Sequence, residues 1–473
     1  MINLFDKILK FSKKSKKILL PKEKITYGEF YNLSKKYFKF LKKNIKSRKV
    51  VCICSGYSVD YLALMFSCYL NKNVINILDV NSSNLEKKNQ ISNSKSCLVF
   101  IDNKNNNLFK RYKKFGNFFF KKIKNKFVFK KNEPRFLIYT SGTTNQPKGV
   151  MISDTSIFKN IYAINKNLNL NKKEKFLIFS PPNYAMGLSQ IFSAMYAEGE
   201  IFFYNKGLKF PNELLEIIIK NKISILNLSI SAFRILENYI ATKKILSTRI
   251  VMSGGMQYGL NDYLKLRKIF PRSKLINFYG CTENSPRISH CIIKRSLLYK
   301  SYFPVGKPIK GVKIKILKLN GDSKDNNLGK ILVSGTSLMS GYFGHNIKKC
   351  FVNGWFLTGD LGFFRKGNLY LAGREDNVFS VGHEKICPEE IEALLKKKFN
   401  FNEVVVSKTK DKILNYRSKY FIEKGSKKIS KNTILAYVQK NFSSFKFPKE
   451  IIFLKKIPRT KYGKIDRKVL NQN

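Results

Sequence analysis

The sequence predicts an α/β protein with a large N-terminal part and a smaller C-terminal part. Three observations carry this. A strand–helix–strand rhythm runs through the first third and recurs after residue 175. From about Gly311 the pattern changes to short strands with turns, as in GVKIKILKLNGDS, GKILVSGTS and GNLYLAGRED. From Pro388 onward helix–strand alternation returns. Strands alternating with helical patterns imply parallel sheets covered by helices. The large part is therefore expected to hold βαβ-type sheets flanked by helices plus a β-subdomain, and the small part to be α+β.

Each element has a local reason. Thr26-Tyr27-Gly28-Glu29 has the spacing of a capping box that opens a helix running through Leu41. Lys49 to Cys54 reads as a short buried strand, Tyr57 to Tyr69 as a buried helix and Val74 to Leu78 as a strand. Later come Lys175 to Phe179 (strand), Asn212 to Lys220 (helix), Ile223 to Leu228 (strand), and Ile250-Val251-Met252 running into Ser253-Gly254-Gly255. No internal repeat of fixed period occurs.

Composition bounds the function. The chain has 473 residues, 43% of them apolar and 14% aromatic, enough for large cores and against whole-chain disorder. No apolar run approaches the length of a membrane span. The first residues, MINLFDKILKFSKKSKK, lack the apolar core and cleavage site of a secretory signal. The 90 Lys and Arg against 31 Asp and Glu leave a net +59. These lysines are spread from Lys7 to Lys468 and interleave with Asn, which speaks for compositional bias rather than a dedicated nucleic-acid patch. The densest basic stretch, Arg111 to Lys131, reads as a surface linker and strand with Phe on an inner face. Of the eight cysteines, Cys52 and Cys54 lie in an apolar run, and no CxxC occurs, so no zinc site is expected. A reducing, cytoplasmic compartment is the simplest reading.

The sharpest motif is Tyr139-Thr140-Ser141-Gly142-Thr143-Thr144-Asn145-Gln146-Pro147-Lys148-Gly149-Val150, directly after the apolar strand Phe136-Leu137-Ile138. Hydroxyls, backbone N–H groups and a lysine in one loop can surround a phosphate. The spacing does not fit the GxxxxGK[ST] of P-loop NTPases.

YTSGTTNQPKG resembles the phosphate-loop signature of adenylate-forming (AMP-binding) enzymes, which include acyl-CoA synthetases, acyl-AMP ligases, peptide-synthetase adenylation domains and luciferases. Further motifs follow in that family's order: Tyr279-Gly280-Cys281-Thr282-Glu283, Thr358-Gly359-Asp360, Gly373-Arg374-Glu375-Asp376, and Pro458 to Arg467 around Lys464. The resemblance spans nearly the whole chain.

It implies ATP-dependent activation of a carboxylic acid to an acyl-adenylate with loss of pyrophosphate, then transfer to a thiol. Thr140, Ser141, Gly142, Thr143, Thr144 and Lys148 would hold the β- and γ-phosphates. Glu283 would bind Mg²⁺ and Thr282 the α-phosphate. Tyr279, with Gly254 and Gly255, would offer a flat face for adenine. Asp360 would accept from the ribose hydroxyls, with Arg374 nearby. Lys464 would bridge the attacking carboxylate and the α-phosphate. Asp376 would be a hinge dividing an adenylation domain, 1–375, from a mobile lid domain, 376–473. Gly382-His383-Glu384-Lys385 resembles the loop used in the second half-reaction. No histidine base is required.

The substrate pocket is expected around Asn183, Tyr184, Met186, Ser253 and Met256. Asn183-Tyr184 stands where acyl-CoA synthetases often carry a histidine, and Lys330 replaces a usual Glu. The thiol is CoA or, as the alternative, the phosphopantetheine of an acyl carrier protein. A nucleic-acid-binding protein on an inactive adenylation fold is the rival from another class.

Overall fold

The computed structural model describes residues 4–102, 108–129, 134–140, 147–240, 244–255, 258–299, 303–318, 328–346, 350–381, 384–411, 415–423, 429–442, 444–459 and 465–472. Two large sheets dominate. The first runs in the order Gly341–Tyr342, Lys148–Ile152, Phe136–Thr140, Val74–Ile77, Val50–Cys54, Ser96–Ile101, Phe118–Lys122, Lys113–Phe115. Its middle strands are parallel and its flanks antiparallel. The second runs Glu200–Phe203, Lys175–Ile178, Ile225–Asn227, Ile250–Gly254, Lys274–Gly280, parallel throughout, then turns antiparallel into Arg287–Ile292 and Lys307–Pro308.

The local rules hold where they are strongest. Thr26 Oγ1 accepts from the Glu29 N–H at 3.1 Å and Glu29 Oε2 accepts from the Thr26 N–H at 2.7 Å, opening the helix Tyr27–Asn44. Ser58 caps the next helix at 3.1 Å, so that helix begins at Val59 rather than at Tyr57. Val50–Cys54 is buried from end to end, as an apolar run in a parallel sheet covered on both faces must be. The main core lies between the two sheets and holds the helices Val59–Leu70 and Ala185–Tyr196.

The basic stretch after Arg111 adds two antiparallel edge strands to the first sheet. Phe118 and Phe120 face the core, with Phe118 packed edge-on against Tyr37 and Phe100, while Lys113 and Lys114 point to solvent. A third, antiparallel sheet contains Val312–Lys318, Gly329–Gly335, Trp355–Arg365, Phe351–Val352 and Asn368–Arg374. This is the predicted β-subdomain. Beyond residue 376 come the hairpin Phe379–Val381/Glu384–Ile386, the helix Pro388–Phe399 and a sheet of Glu403–Asp411, Asn415–Glu423 and Pro448–Leu454 with its own core.

Candidate active site

In open α/β sheets, ligands bind beyond the carboxyl ends of the strands. Here the strands Phe136–Thr140, Ile250–Gly254 and Lys274–Gly280 end in the segments that the motifs single out.

The hairpin of the third sheet pairs Asp360 directly with Arg374. Arg374 Nη1 donates to Asp360 Oδ1 at 3.0 Å and to the Thr358 carbonyl at 3.2 Å. From the second sheet, the Tyr279 hydroxyl donates to Asp360 Oδ2 at 2.5 Å. Burial pushes the Asp360 carboxyl up, while Arg374 and the Tyr279 bond oppose it. Burial and the Asp360 charge together push the Tyr279 phenol well up, so it stays a donor. Gly359 has φ +74°, and a Cβ there would stand 3.1 Å from Arg374 Nη2, so the turn beside this pair favours glycine.

Tyr279 is only 5% exposed and packs in a core cluster with Ile288, Val305 and Leu369, so little of its ring is open as a stacking face. Its polar end, holding Asp360, is what reaches the site.

Glu283 lies on a short 3-10 turn after Gly280, where Tyr342 Oη donates to its Oε1 at 2.8 Å. The Lys148 ammonium stands 5.6 Å from the centroid of the same Tyr342 ring. Lys148 is paired with Thr140 across the strands that flank the phosphate-type loop, and Tyr342 joins the next strand in that sheet. Tyr342 thus links Lys148 to Glu283. It went unread in the sequence, because a tyrosine between glycines in Ser340-Gly341-Tyr342-Phe343-Gly344 carries no motif signal.

A carboxylate oxygen suits magnesium. Among the described residues no group of three His, Cys, Asp or Glu is placed to hold a metal. Magnesium is usually held by one or two carboxylates together with nucleotide phosphates and water.

Ser253 and Gly254 are the last residues of their strand instead of following it. The Ser253 hydroxyl is buried without a hydrogen-bond partner. Gly254 packs against Phe278, whose ring would lie 2.6 Å from any added Cβ, and Gly255 turns at φ +80° into open space. Asn183 Oδ1 is likewise buried and unpartnered, and Met186 accepts from the Ser180 hydroxyl at 3.8 Å. Tyr184 is half-buried beside them, before the helix Ala185–Tyr196.

Asp376 is half-exposed in a turn of residues Glu375–Asn377, 3.4 Å from Arg374 Nη2. Lys330, the departure from the usual Glu, pairs with Glu375 at 2.5 Å, next to that turn. Ser141, Gly142, Thr143, Thr144, Met256, Gly382, His383 and Lys464 lie outside the described residues. Thr282 is half-buried on the same turn as Glu283.

The protein class is that of the AMP-binding enzymes. The chain belongs to this family, which matches it over residues 10–343. It is 27% identical to the 2-succinylbenzoate–CoA ligase of Bacillus licheniformis over 70% of this chain and 68% of that protein. It is also 27% identical to the 4-coumarate–CoA ligase CCL1 of Humulus lupulus, over 71% of this chain and 63% of that protein. Among solved structures, the ATP-bound MatB of Rhodopseudomonas palustris superposes with a TM-score of 0.85 at 18% identity, covering 100% of this chain and 98% of that one. The o-succinylbenzoate CoA synthetase of Bacillus subtilis, in complex with its acyl-adenylate, gives a TM-score of 0.82 at 20% identity over 99% and 98%. Among the described residues no helix is long and apolar enough to cross a membrane.

Proposed function

We propose that this chain is an AMP-forming acid–thiol ligase that joins a small carboxylic acid to CoA. An oxygen of the acid attacks the α-phosphorus of ATP, and the bond from that phosphorus to the α,β-bridging oxygen breaks to release pyrophosphate. The thiolate of CoA then attacks the acyl carbon and expels AMP. Both partners of the first step are anions, so the protein's task is to neutralise and position them.

The single observation that carries the reading is Asp360. Its carboxylate is held from two sides by Tyr279 and Arg374, at the carboxyl ends of the sheet strands and in the same site region as Glu283. Such a preset acceptor suits the two hydroxyls of a ribose. Thr140, Lys148 and the intervening loop take the terminal phosphates, and Thr282 the α-phosphate. Glu283 holds magnesium, which when bound neutralises phosphate charge. Gly254 and Gly255 let the base approach the backbone, and Lys464 stabilises charge that develops between carboxylate and α-phosphate. Asp376 is the hinge between 1–375 and a lid of 376–473.

CoA is the acceptor favoured by the CoA-ligase relatives. A carrier-protein phosphopantetheine is the second reading, supported by the +59 charge, which suits an acidic protein partner. Thioester yield with CoA against carrier protein separates the two.

Acid-dependent exchange of labelled pyrophosphate into ATP, across a panel of acids, tests the function. Exchange with at least one acid class is expected; none with any class overturns it. K464A should abolish exchange yet spare thioester formation from supplied acyl-AMP.

A further inference from the structure

Four residues beyond Glu283, the strand Arg287–Ile292 opens with an arginine that is 3% exposed. Four half-buried arginines of the fold meet carboxylates. Arg135 meets Asp154 at 2.7 Å, Arg234 meets Asp262 at 2.9 Å, Arg249 meets Glu174 at 2.5 Å and Arg467 meets Glu392 at 2.7 Å. Arg287 meets none among the described residues. Its Nη1 has no hydrogen-bond partner, and its Nη2 reaches only the Met252 sulfur at 3.7 Å. Its guanidinium stacks 3.9 Å over the Phe278 ring, a contact that orients a cation but does not neutralise it. Burial accordingly pushes the Arg287 pKa down to about 9. An unpaired buried cation is costly, and a bound anion would remove that cost.

Arg287 lines a partly enclosed cavity of about 20 Å³, with Ser189, Gln190, Ser193, Asn227 and Met252. That is room for one or two waters, or for one carboxylate. Four polar atoms around it are buried and unpartnered: Arg287 Nη1, Gln190 Oε1, Ser193 Oγ and Asn227 Oδ1. Ser193 can donate, and Asn227 presents its NH₂ after rotation about its last bond. The cavity is lined by the elements that carry the expected acid pocket. Ser189 and Gln190 belong to the helix that follows Asn183-Tyr184, Met252 directly precedes Ser253-Gly254, and Arg287 follows Glu283.

We propose that the acid activated by this enzyme is a dicarboxylic acid, whose second carboxylate docks on Arg287 at the closed end of the acyl pocket. This rests on the ligase reading above. The remote carboxylate pairs with the guanidinium and takes the Ser193 hydroxyl, leaving the first carboxylate at the α-phosphate. A monocarboxylic acid of equal length would leave Arg287 unpaired, and sites with stranded buried charges reject such analogues strongly.

The test is pyrophosphate exchange with the whole chain on length-matched pairs, butyrate against succinate through octanoate against suberate. For the best length, kcat/KM for the diacid should exceed that for its monoacid partner by about 100-fold. R287L should lose about that factor on the diacid and keep exchange with the monoacid, and R287K should recover part of the preference. Monoacids matching diacids in the wild-type enzyme would overturn the inference, leaving the ligase reading intact; a resident chloride or water on Arg287 would produce that result. A diacid preference that survives in R287L would also overturn it. Absence of exchange with every acid would overturn both. If R287L does not fold, the wild-type pairs still decide.

Discussion

The Tyr279 hydroxyl donates to Asp360 across 2.5 Å, joining the parallel second sheet to the antiparallel third. The bond holds one carboxylate oxygen while Arg374 holds the other. Y279F should therefore loosen Asp360 and raise KM for ATP about tenfold, the scale of one hydrogen bond to a charged group. Initial rates over an ATP series check this. An unchanged KM would show that the phenol is a packing residue only.

Tyr342 braces Glu283 at 2.8 Å. Y342F should raise the magnesium concentration for half-maximal activity by about tenfold, with near-normal rates at saturating metal. A magnesium titration at fixed ATP measures it. A lowered kcat at every magnesium concentration would put Tyr342 in another role.

Gly254 has no room for a side chain, since a Cβ would lie 2.6 Å from the Phe278 ring on which Arg287 stacks. G254A should cost about 1–3 kcal/mol of stability through overpacking. It should also raise KM for ATP, because the base approaches the backbone there, and KM for the acid, because the displaced Phe278 ring carries Arg287. Thermal melts and separate KM values for acid and ATP test both halves.

Glu403 is almost wholly buried in the C-terminal part and meets Lys396, Arg459 at 2.7 Å and, from the N-terminal part, Arg234 at 3.6 Å. Burial pushes its carboxyl up, but Lys396, Arg234 and Arg459 outweigh burial and hold it below the ordinary carboxylate range. A depressed carboxylate contributes stability above its unfolded pKa and loses it as pH falls through the folded one. E403Q should thus melt well below wild type at neutral pH, by about 3–5 kcal/mol, because three cations lose their partner. The gap should close on acidification below pH 4.5. A constant gap from pH 7 to pH 3 would contradict the assignment.

The parts legible in the sequence were those with short-range causes. Thr26 and Glu29 cap a helix within four residues, and Val50 to Cys54 is apolar without interruption. The ordered motifs named Glu283, Asp360 and Arg374, and the fold brings the last two together because a hairpin pairs Asp360 with Arg374. What escaped depends on contacts between distant elements. Nothing near Tyr342 or Arg287 in sequence marks one as the brace of Glu283 and the other as buried without a counter-ion. The bond from the Tyr279 hydroxyl to Asp360 also escaped, because it joins two sheets through residues 81 apart in sequence.

The distribution of the thiols has a practical consequence. All eight cysteines are unbridged. Cys52, Cys54, Cys68, Cys97 and Cys291 are buried, with burial pushing each thiol up, Cys97 and Cys291 to about 11. Cys281 is pushed well up too, by burial and by the charge of Glu283. Thiolates are the species that alkylating reagents capture, so these six should label slowly. Cys350 and Cys387 are the half-buried remainder, one before Asp376 and the other after it. The native chain thereby offers two attachment points for a donor and an acceptor dye on either side of the proposed hinge, and energy transfer between them would report rotation of the lid turnover by turnover, with no engineered cysteine.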